Sequence, residues 1–245
     1  MIRLLLLAGT AEARQLAAVL RQEVRVSAVA SLAGSTRTPQ PLGLPTRIGG
    51  FGGREAFTDW MRNEGIGAVL DATHPFADRM SWRTHEVCRE LGVPYMQFLR
   101  PAWLPGPHDD WVFLNEEAEA AKVIPKGSVV FLATGPATLD RFANLAGRRI
   151  YCRRIDPPRH PFPFEGGEYL VQRGPFHVNG EMELFHDLGV DWLVTKNSGG
   201  SSSRAKLDAA RDLGVRVAMV RRPRQPEGPK VSTVSAAISW VRQLT

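Results

Sequence analysis

Four short stretches of small and hydroxyl-bearing residues each follow an apolar run, and they hold the residues best suited to chemistry. The apolar runs have the length of buried β-strands, and the residues after each turn have the pattern of a helix. In open parallel sheets, ligands bind beyond the carboxyl ends of the strands. The candidate turns are Ala8-Gly9-Thr10, Ala72-Thr73-His74-Pro75, Ala133-Thr134-Gly135-Pro136 and Thr195-Lys196-Asn197-Ser198-Gly199-Gly200.

The first turn has the features of an anion-binding helix start. Gly9 permits close approach of a ligand to the backbone, and Thr10 can cap the helix that follows. The N–H groups and the dipole of that helix favour a bound anion. Glu12 already brings a carboxylate to the first helical turn, so it either satisfies this field or accepts hydrogen bonds from a ribose or an amide. A well-capped helix that binds no ligand is the alternative.

Two side chains in these turns are candidate proton donors. His74 precedes a proline, which favours an extended backbone at that residue and can direct the imidazole into a ligand site. Lys196 directly follows a buried strand, and with Asn197 and Ser198 it offers donors for a carboxylate or a phosphate. A hydrogen-bonded structural histidine and a solvated, serine-capped loop are the alternatives for these two turns.

The elements that must position these turns alternate between strand and helix along the whole chain. Continuous apolar strands separated by helices predict parallel sheets covered on both faces. A proline-rich stretch over residues 100–110 interrupts the alternation, which then restarts. We therefore predict an α/β protein with two domains, each a parallel sheet flanked by helices. The predicted domains are residues 1–98 and 99–245, with a ligand cleft between them.

The second strand indicates which nucleotide the first domain would bind. In Rossmann folds an acidic residue near the end of this strand binds the ribose of NAD, whereas neutral or basic surroundings suit the 2′-phosphate of NADP. Here the strand ends at Ser31, Arg37 follows, and no acidic residue occurs from 24 to 54. A dinucleotide in this domain would therefore be NADP. Phe51, in the glycine-rich stretch that follows, could stack on the same ligand.

Composition and charge narrow the class of protein. No apolar run approaches the roughly 18 residues that span a bilayer, and the N-terminus lacks the features of a signal peptide, so we expect a cytoplasmic protein. The two cysteines, Cys88 and Cys152, predict neither a disulfide nor a zinc site, and no other spacing predicts a metal. The net charge of +6 indicates an anionic partner.

Arginine supplies most of that charge, since only five of the 31 basic residues are lysine. The guanidinium fork suits carboxylate and phosphate groups. A basic nucleic-acid-binding protein is a less favoured alternative, because the basic residues are dispersed and no binding motif occurs. A sugar-nucleotide or periplasmic-type binding protein is a third.

The chain resembles the precorrin-6A reductases of cobalamin biosynthesis, including the cobalt-precorrin-6A reductases of the anaerobic route. The similar stretches occur in order over nearly the whole chain: LLLLAGTAEAR (4–14), DATHPFA (71–77), ATG (133–135), TKNSGG (195–200) and AKLDAARDLGVRVAMVRRP (205–223). Ala8 departs from the pattern, because a glycine is expected there.

The resemblance implies two Rossmann-like domains with NADPH and the tetrapyrrole in the cleft between them. It also implies an oxidoreductase that uses NADPH to reduce a ring double bond of precorrin-6A, a polycarboxylate tetrapyrrole, to give precorrin-6B. The implied cofactor-binding residues are Gly9, Thr10, Ala11, Glu12, Ser31, Arg37, Phe51, Thr73 and His74. The implied substrate-binding residues are Thr134, Gly135, Lys196, Asn197, Ser198 and Gly199. The proton donor stays open between His74, Lys196 and bound water. Other corrin-pathway enzymes are candidate partners, whereas nucleic acid, membrane and a resident metal are not expected.

Overall fold

The computed structural model describes residues 1–34, 37 and 39–245. The chain forms two compact units, one of Met1–Pro101 with Pro223–Thr245 and one of Ala102–Arg222. Each unit contains one six-stranded sheet in which neighbouring strands are parallel. The two helix-flanked parallel sheets are the α/β fold that the sequence predicts. Among the described residues, no helix is both long and apolar enough to cross a bilayer.

Strands and helices alternate over much of the chain. Up to Pro101 they are β1 (Ile2–Leu7), α1 (Ala11–Leu20), β2 (Val26–Leu32), β3 (Thr46–Ile48), α2 (Arg54–Asn63), β4 (Ala68–Asp71), α3 (Asp78–Leu91) and β5 (Tyr95–Phe98). The second unit has β6 (Trp111–Leu114), a 3₁₀ helix (Glu117–Glu119), α4 (Ala120–Val123), β7 (Val129–Leu132), a 3₁₀ helix (Pro136–Phe142), β8 (Arg149–Arg154), β9 (Gly167–Val171), α5 (Val178–Leu188), β10 (Trp192–Lys196), α6 (Ala205–Leu213) and β11 (Arg216–Val220). The chain ends with β12 (Lys230–Val231) and α7 (Val234–Gln243).

The first sheet has the strand order of a Rossmann fold, and the second differs from it in that its edge strand, β6, is the first strand of the unit. The first runs β3-β2-β1-β4-β5-β12 and the second runs β9-β8-β7-β10-β11-β6. In each, the direction of strand progression reverses at the centre, between β1 and β4 in the first sheet and between β7 and β10 in the second. Ligands of open α/β sheets bind at such reversals, outside the carboxyl ends of the strands.

The run of leucines in β1 is explained by burial on both faces of the first sheet. Leu4 and Leu6 belong to a core cluster that includes residues of α1 and α7, whereas Leu5 and Leu7 belong to a cluster that includes residues of α2 and α3. Because successive side chains of a strand point to opposite faces, a strand covered on both sides must be apolar at every position.

The C-terminal boundary of the second predicted domain is wrong. The sequence prediction assigns residues 99–245 to that domain, but Pro223–Thr245 belong to the first unit. There, Lys230 and Val231 of β12 pair with Gln97 and Phe98 of β5. Helix α7 contributes Ala237, Ile238 and Val241 to the same core cluster as α1.

Two short strands and one helix type also differ from the sequence prediction. The three-residue β3 and the two-residue β12 are too short to show a periodic pattern. The segment Pro136–Phe142 is a 3₁₀ helix, whereas the spacing of its apolar residues is also that of an α-helix. Leu139 and Phe142 are three residues apart, and this spacing puts two side chains on one face in either helix type.

Candidate functional site

The four turns predicted from the sequence lie at the carboxyl ends of the strands beside the two reversal points. The turn after β1 and the turn after β4 flank the reversal in the first sheet, and those after β7 and β10 flank the reversal in the second. The predicted residues thus form two groups, one in each unit.

Thr10 connects the two turns of the first group. Its Oγ1 accepts a hydrogen bond from the backbone N–H of Ala13 at 3.1 Å, which caps α1, and donates one to the carbonyl oxygen of Ala72 at 2.9 Å. Gly9 has a φ of 136°, which favours glycine, and a Cβ built there would meet no atom within 4 Å. The backbone before α1 is therefore open on that side. Ala11 begins the helix, where N–H groups have no intrahelical partner.

Glu12 is paired within the first unit. Its Oε2 lies 2.5 Å from Nη1 of Arg100, and the two side chains are only 16% and 10% exposed. The Arg100 charge offsets that of Glu12 at the start of α1, so the carboxylate does not by itself exclude an anion there. The sequence does not indicate a role for Arg100, because this residue lies in the proline-rich stretch that interrupts the predicted alternation.

A buried carboxylate supports the turn after β4. Oδ1 of Asp71 accepts hydrogen bonds from the backbone N–H of Thr73 at 3.0 Å and from its hydroxyl group at 2.7 Å. Oδ2 of Asp71 accepts one from the Tyr95 hydroxyl group at 2.8 Å. Burial, followed by the charge of Asp71, raises the pKa of Tyr95, so the phenol stays protonated and keeps donating. The Thr73 side chain is thus fixed by Asp71.

His74 follows directly and is half-buried. Its Nδ1 accepts a hydrogen bond from the backbone N–H of Phe76 at 3.3 Å, and the two rings are 5.8 Å apart. With Nδ1 as the acceptor, a neutral imidazole carries its proton on Nε2. His74 can therefore present Nε2–H as a donor.

The remaining cofactor candidates differ in their surroundings. Ser31 belongs to β2, and its carbonyl oxygen accepts a hydrogen bond from the N–H of Ala8 at 2.9 Å, which brings it beside the first turn. Arg37 lies beyond β2 and is exposed.

Phe51 is packed against other side chains of the first unit, and its stacking on a ligand stays a prediction. The ring is 8% exposed and packs edge-on against Phe57 at 4.6 Å. The guanidinium of Arg47 covers it at 3.8 Å from the centroid. The Arg47 guanidinium thus occupies one face of the ring.

The second group contains a buried hydroxyl group that lacks a partner. Thr134 is 9% exposed, and its Oγ1 has no hydrogen-bond partner among the described residues. The preceding N–H, of Ala133, donates to the carbonyl oxygen of Val194 at 2.9 Å, so this turn starts beside β10. Gly135 follows, and Pro136 begins the 3₁₀ helix. An unsatisfied buried hydroxyl group costs free energy, which a bound polar ligand would recover.

Lys196, at the end of β10, has an unusual electrostatic environment. Its Nζ lies 3.9 Å from Oε1 of Glu117, and the lysine side chain is only 15% exposed. Burial lowers the pKa of Lys196; the carboxylate of Glu117 opposes this change, and the charge of Arg141 adds to it. Lys196 therefore releases its proton more readily than an exposed lysine does.

Asn197 is engaged with a segment that the sequence analysis did not connect to it. Its Oδ1 accepts from the N–H of Trp103 at 2.8 Å, and its Nδ2 donates to the carbonyl oxygen of Trp103 at 3.0 Å. Trp103 Nε1 also donates to the carbonyl oxygen of Gly200 at 2.8 Å. The Asn197 amide thus fixes the turn, while Ser198 and Gly199 continue it, the glycine with a φ of 66°.

Metal binding has no support in the described part of the chain, where no group of three or more His, Cys, Asp and Glu side chains could hold an ion.

Comparison with known proteins gives consistent matches over the whole chain. The model of the family described as Precorrin-6x reductase CbiJ/CobK matches residues 3–242. The chain is 43% identical to the precorrin-6A reductase of Rhodococcus erythropolis, over 100% of this chain and 99% of that protein. It is 30% identical to the cobalt-precorrin-6A reductase of Priestia megaterium, over 96% of each. A solved structure of CobK precorrin-6A reductase superposes with a TM-score of 0.94 at 38% identity, covering 100% of this chain and 97% of the other.

Proposed function

We propose, since the chain belongs to the precorrin-6x reductase family CbiJ/CobK, that NADPH is its hydride donor and that each sheet binds one reactant. The reaction is that of the family: an oxidoreductase reduces a ring double bond of the tetrapyrrole precorrin-6A in cobalamin biosynthesis. Membership of a reductase family indicates a nicotinamide cofactor. The observation that carries the proposal is that all four turns flank the reversal points of the two sheets.

The first unit suits a dinucleotide. The start of α1 combines the N–H groups of Thr10, Ala11 and Glu12 with the open backbone at Gly9. Such a helix start binds a pyrophosphate through its N–H groups and dipole. Thr73 and His74 follow the adjacent strand, where the nicotinamide end would bind. When bound, NADPH supplies a hydride.

NADPH is preferred over NADH in this proposal because of the residues around β2. Ser31 lies in β2 beside the first turn, and Arg37 follows it. No acidic residue from 24 to 54 is available to bind a 2′-hydroxyl group or to repel a 2′-phosphate. Arg37, the first cationic side chain after the end of β2, would then pair with the phosphate.

The second unit suits the tetrapyrrole carboxylates. Lys196 supplies a cation, the unpartnered Thr134 hydroxyl group supplies a donor, and Ser198 lies in the same group. Gly135 and Gly199 would let the macrocycle approach the backbone, and Asn197 would keep the turn in shape through Trp103. The net charge of +6 would attract a polycarboxylate.

Two side chains are the proposed proton donors, and bound water is the third. Lys196 suits the role because burial lowers its pKa, and His74 suits it because Nε2 carries a proton in the neutral ring. Metal-free precorrin-6A is the proposed substrate, since the chain is 43% identical to the precorrin-6A reductase of Rhodococcus erythropolis and 30% identical to the cobalt-precorrin-6A reductase of Priestia megaterium. Both cysteines are free and buried, and we propose the reducing cytoplasm as the compartment.

Binding titrations test the division of roles. We expect wild-type protein to bind NADPH at least tenfold more tightly than NADH. We expect Lys196→Ala to weaken precorrin-6A binding, by the amount that one lost charge-assisted hydrogen bond contributes, and to leave NADPH affinity within about twofold. Equal affinity for the two nucleotides would contradict the cofactor. A Lys196→Ala protein that lost NADPH binding but kept precorrin-6A binding would contradict the assignment of the two sheets.

A further inference from the structure

A buried carboxylate joins two cations beside the carboxyl ends of β7 and β10. Oε2 of Glu117 accepts a hydrogen bond from Nη1 of Arg141 at 3.0 Å, and Oε1 of Glu117 lies 3.9 Å from Nζ of Lys196. Glu117 lies in the 3₁₀ helix after β6, Arg141 in the 3₁₀ helix after β7, and Lys196 at the end of β10. Three separate segments of the second unit therefore meet at one carboxylate.

The exposure of the three side chains differs sharply. The Glu117 side chain is 5% exposed, that of Lys196 is 15% exposed, and that of Arg141 is 65% exposed. A buried carboxylate is stable only when it is paired, and here it is paired with two cations rather than one. The trio thus carries a net positive charge, with the negative charge on its buried side.

Two hydroxyl groups in the segment that leads to Arg141 have no hydrogen-bond partner among the described residues. Thr134 and Thr138 lie in the turn and the 3₁₀ helix that also carry Arg141, and the Oγ1 of each is buried without a hydrogen-bond partner in the described residues. Thr134 is itself 9% exposed. Unsatisfied hydroxyl groups in the segment that also carries the Arg141 cation are donors that an anionic, hydrogen-bonding ligand would satisfy.

We propose that Glu117 is a positioning residue that holds the Lys196 ammonium and the Arg141 guanidinium together as a binding site for one carboxylate of the tetrapyrrole. The inference rests on the proposed function, because it takes the second unit as the one that binds this substrate. It adds Arg141 as a substrate contact and gives Glu117 a role of its own. Arg141 binds the carboxylate from the solvent side, and Lys196 binds it from the strand end.

Glu117 also controls the protonation of Lys196. The charged groups that face Lys196 are Glu117, which favours the ammonium form, and Arg141, which disfavours it. Replacing Glu117 by glutamine removes the favourable charge, so the lysine loses its proton at lower pH. Replacing Arg141 by glutamine has the opposite effect. The two variants therefore shift the alkaline limb of kcat/KM for the tetrapyrrole in opposite directions.

Steady-state kinetics with precorrin-6A and NADPH test the proposal on four variants of the full chain. Glu117→Gln is matched with Glu116→Gln, which removes the same charge at the exposed neighbouring position. Arg141→Gln is matched with Arg149→Gln, which removes an exposed arginine at the start of β8, whereas the candidate site lies at the carboxyl ends of strands. We expect Glu117→Gln and Arg141→Gln each to raise KM for precorrin-6A about tenfold, the loss of one charge-assisted hydrogen bond, with KM for NADPH unchanged.

The pH profile separates positioning from mere structural support. We expect the alkaline limb to move to lower pH in Glu117→Gln, to higher pH in Arg141→Gln, and to stay in place in both controls. If KM and the pH limb of Glu117→Gln match those of Glu116→Gln, the inference is overturned.

If Glu117→Gln fails to fold, Arg141→Gln provides the test, because the Arg141 side chain is mostly exposed and its replacement should not prevent folding. An unchanged KM for precorrin-6A in Arg141→Gln would overturn the inference but not the proposed function. Absence of turnover in the wild-type protein would instead overturn the proposed function, and the inference with it.

Discussion

The Thr10 hydroxyl group donates a hydrogen bond to the carbonyl oxygen of Ala72, 62 residues further along the chain, at 2.9 Å. The Oγ1 atom of Thr10 also accepts a hydrogen bond from the N–H of Ala13 and so caps α1. One side chain thereby fixes both turns at the reversal point of the first sheet, the helix start where a pyrophosphate would bind and the turn that carries His74.

Removing the Thr10 hydroxyl group should cost both stability and cofactor affinity. Thr10→Ala loses the cap and the link to Ala72, so the free energy of unfolding should fall by about 1–2 kcal/mol. NADPH should also bind more weakly, because the helix start is no longer held against the turn after β4. Urea unfolding and NADPH titration measure the two effects.

Thr10→Ser is the matched control for that variant. Serine keeps the hydroxyl group, so both quantities should stay close to those of the wild-type protein. A Thr10→Ala protein with unchanged stability and affinity would show that the hydroxyl group supports neither turn.

Arg100 should affect NADPH binding through Glu12. Arg100→Gln leaves the Glu12 carboxylate without its partner at the start of α1, where it repels a pyrophosphate. We expect NADPH to bind about tenfold more weakly, equivalent to about 1.4 kcal/mol. The double variant Glu12→Gln with Arg100→Gln should recover most of this loss, because it removes both charges.

Isothermal titration of the two proteins with NADPH makes the measurement, and Arg62→Gln is the control, since that arginine is exposed on α2 of the same unit. Equal losses in the single and double variants would contradict a role for charge balance at α1.

Tyr95 should contribute to stability through Asp71. Tyr95→Phe removes the hydroxyl group that donates to Oδ2 of the buried carboxylate, at 2.8 Å. An unsatisfied buried acceptor should lower the free energy of unfolding by about 1–3 kcal/mol. Chemical denaturation measures it, with Tyr169→Phe at a half-buried position as the control. An effect no larger than that of the control would mean that water satisfies Asp71 in the variant.

Alkaline pH should destabilise the protein through Cys88. Burial, followed by the charge of Asp71, raises the pKa of this thiol to about 12. In the unfolded chain a cysteine ionises near pH 8.5, so its contribution is complete below about 8.5 and is lost as the pH rises toward the folded value. The free energy of unfolding should therefore decline over this range.

Cys88→Ala should reduce that decline, although the cavity it creates lowers stability at neutral pH. Denaturant midpoints measured from pH 7 to 10 provide the comparison. Identical slopes in the wild-type protein and Cys88→Ala would exclude Cys88 as the source.

The four turns could be predicted because each is encoded locally, as an apolar strand followed by small residues and a helix start. The contacts that complete the candidate sites could not be predicted, because they join distant residues. Arg100 is 88 residues from Glu12, and Trp103 is 94 from Asn197. Lys196 shows both aspects: its position at a strand end is visible in the sequence, whereas its pairing with Glu117 depends on the fold.

The strand pairing of β12 and the surroundings of Phe51 could not be predicted for the same reason, because both depend on contacts that the local sequence does not encode. The pairing of β12 with β5 involves two residues of an otherwise irregular segment, so no periodic pattern marks it. The glycine-rich neighbours of Phe51 suggest an open ring that could stack on a ligand. In the structure the ring contacts Phe57 and Arg47, and the local sequence does not predict these contacts.

The most direct test follows the hydride from the nucleotide to the macrocycle. Wild-type protein is mixed without oxygen with precorrin-6A and with NADPH carrying deuterium on one face of the nicotinamide C4, and the product is analysed by mass spectrometry, with the oppositely labelled nucleotide as the control. We expect one NADPH to be oxidised for each macrocycle reduced, and the product to carry one deuterium from one of the two labelled forms and none from the other. A product free of deuterium from both forms, or no oxidation of NADPH, would contradict hydride transfer from NADPH to the macrocycle.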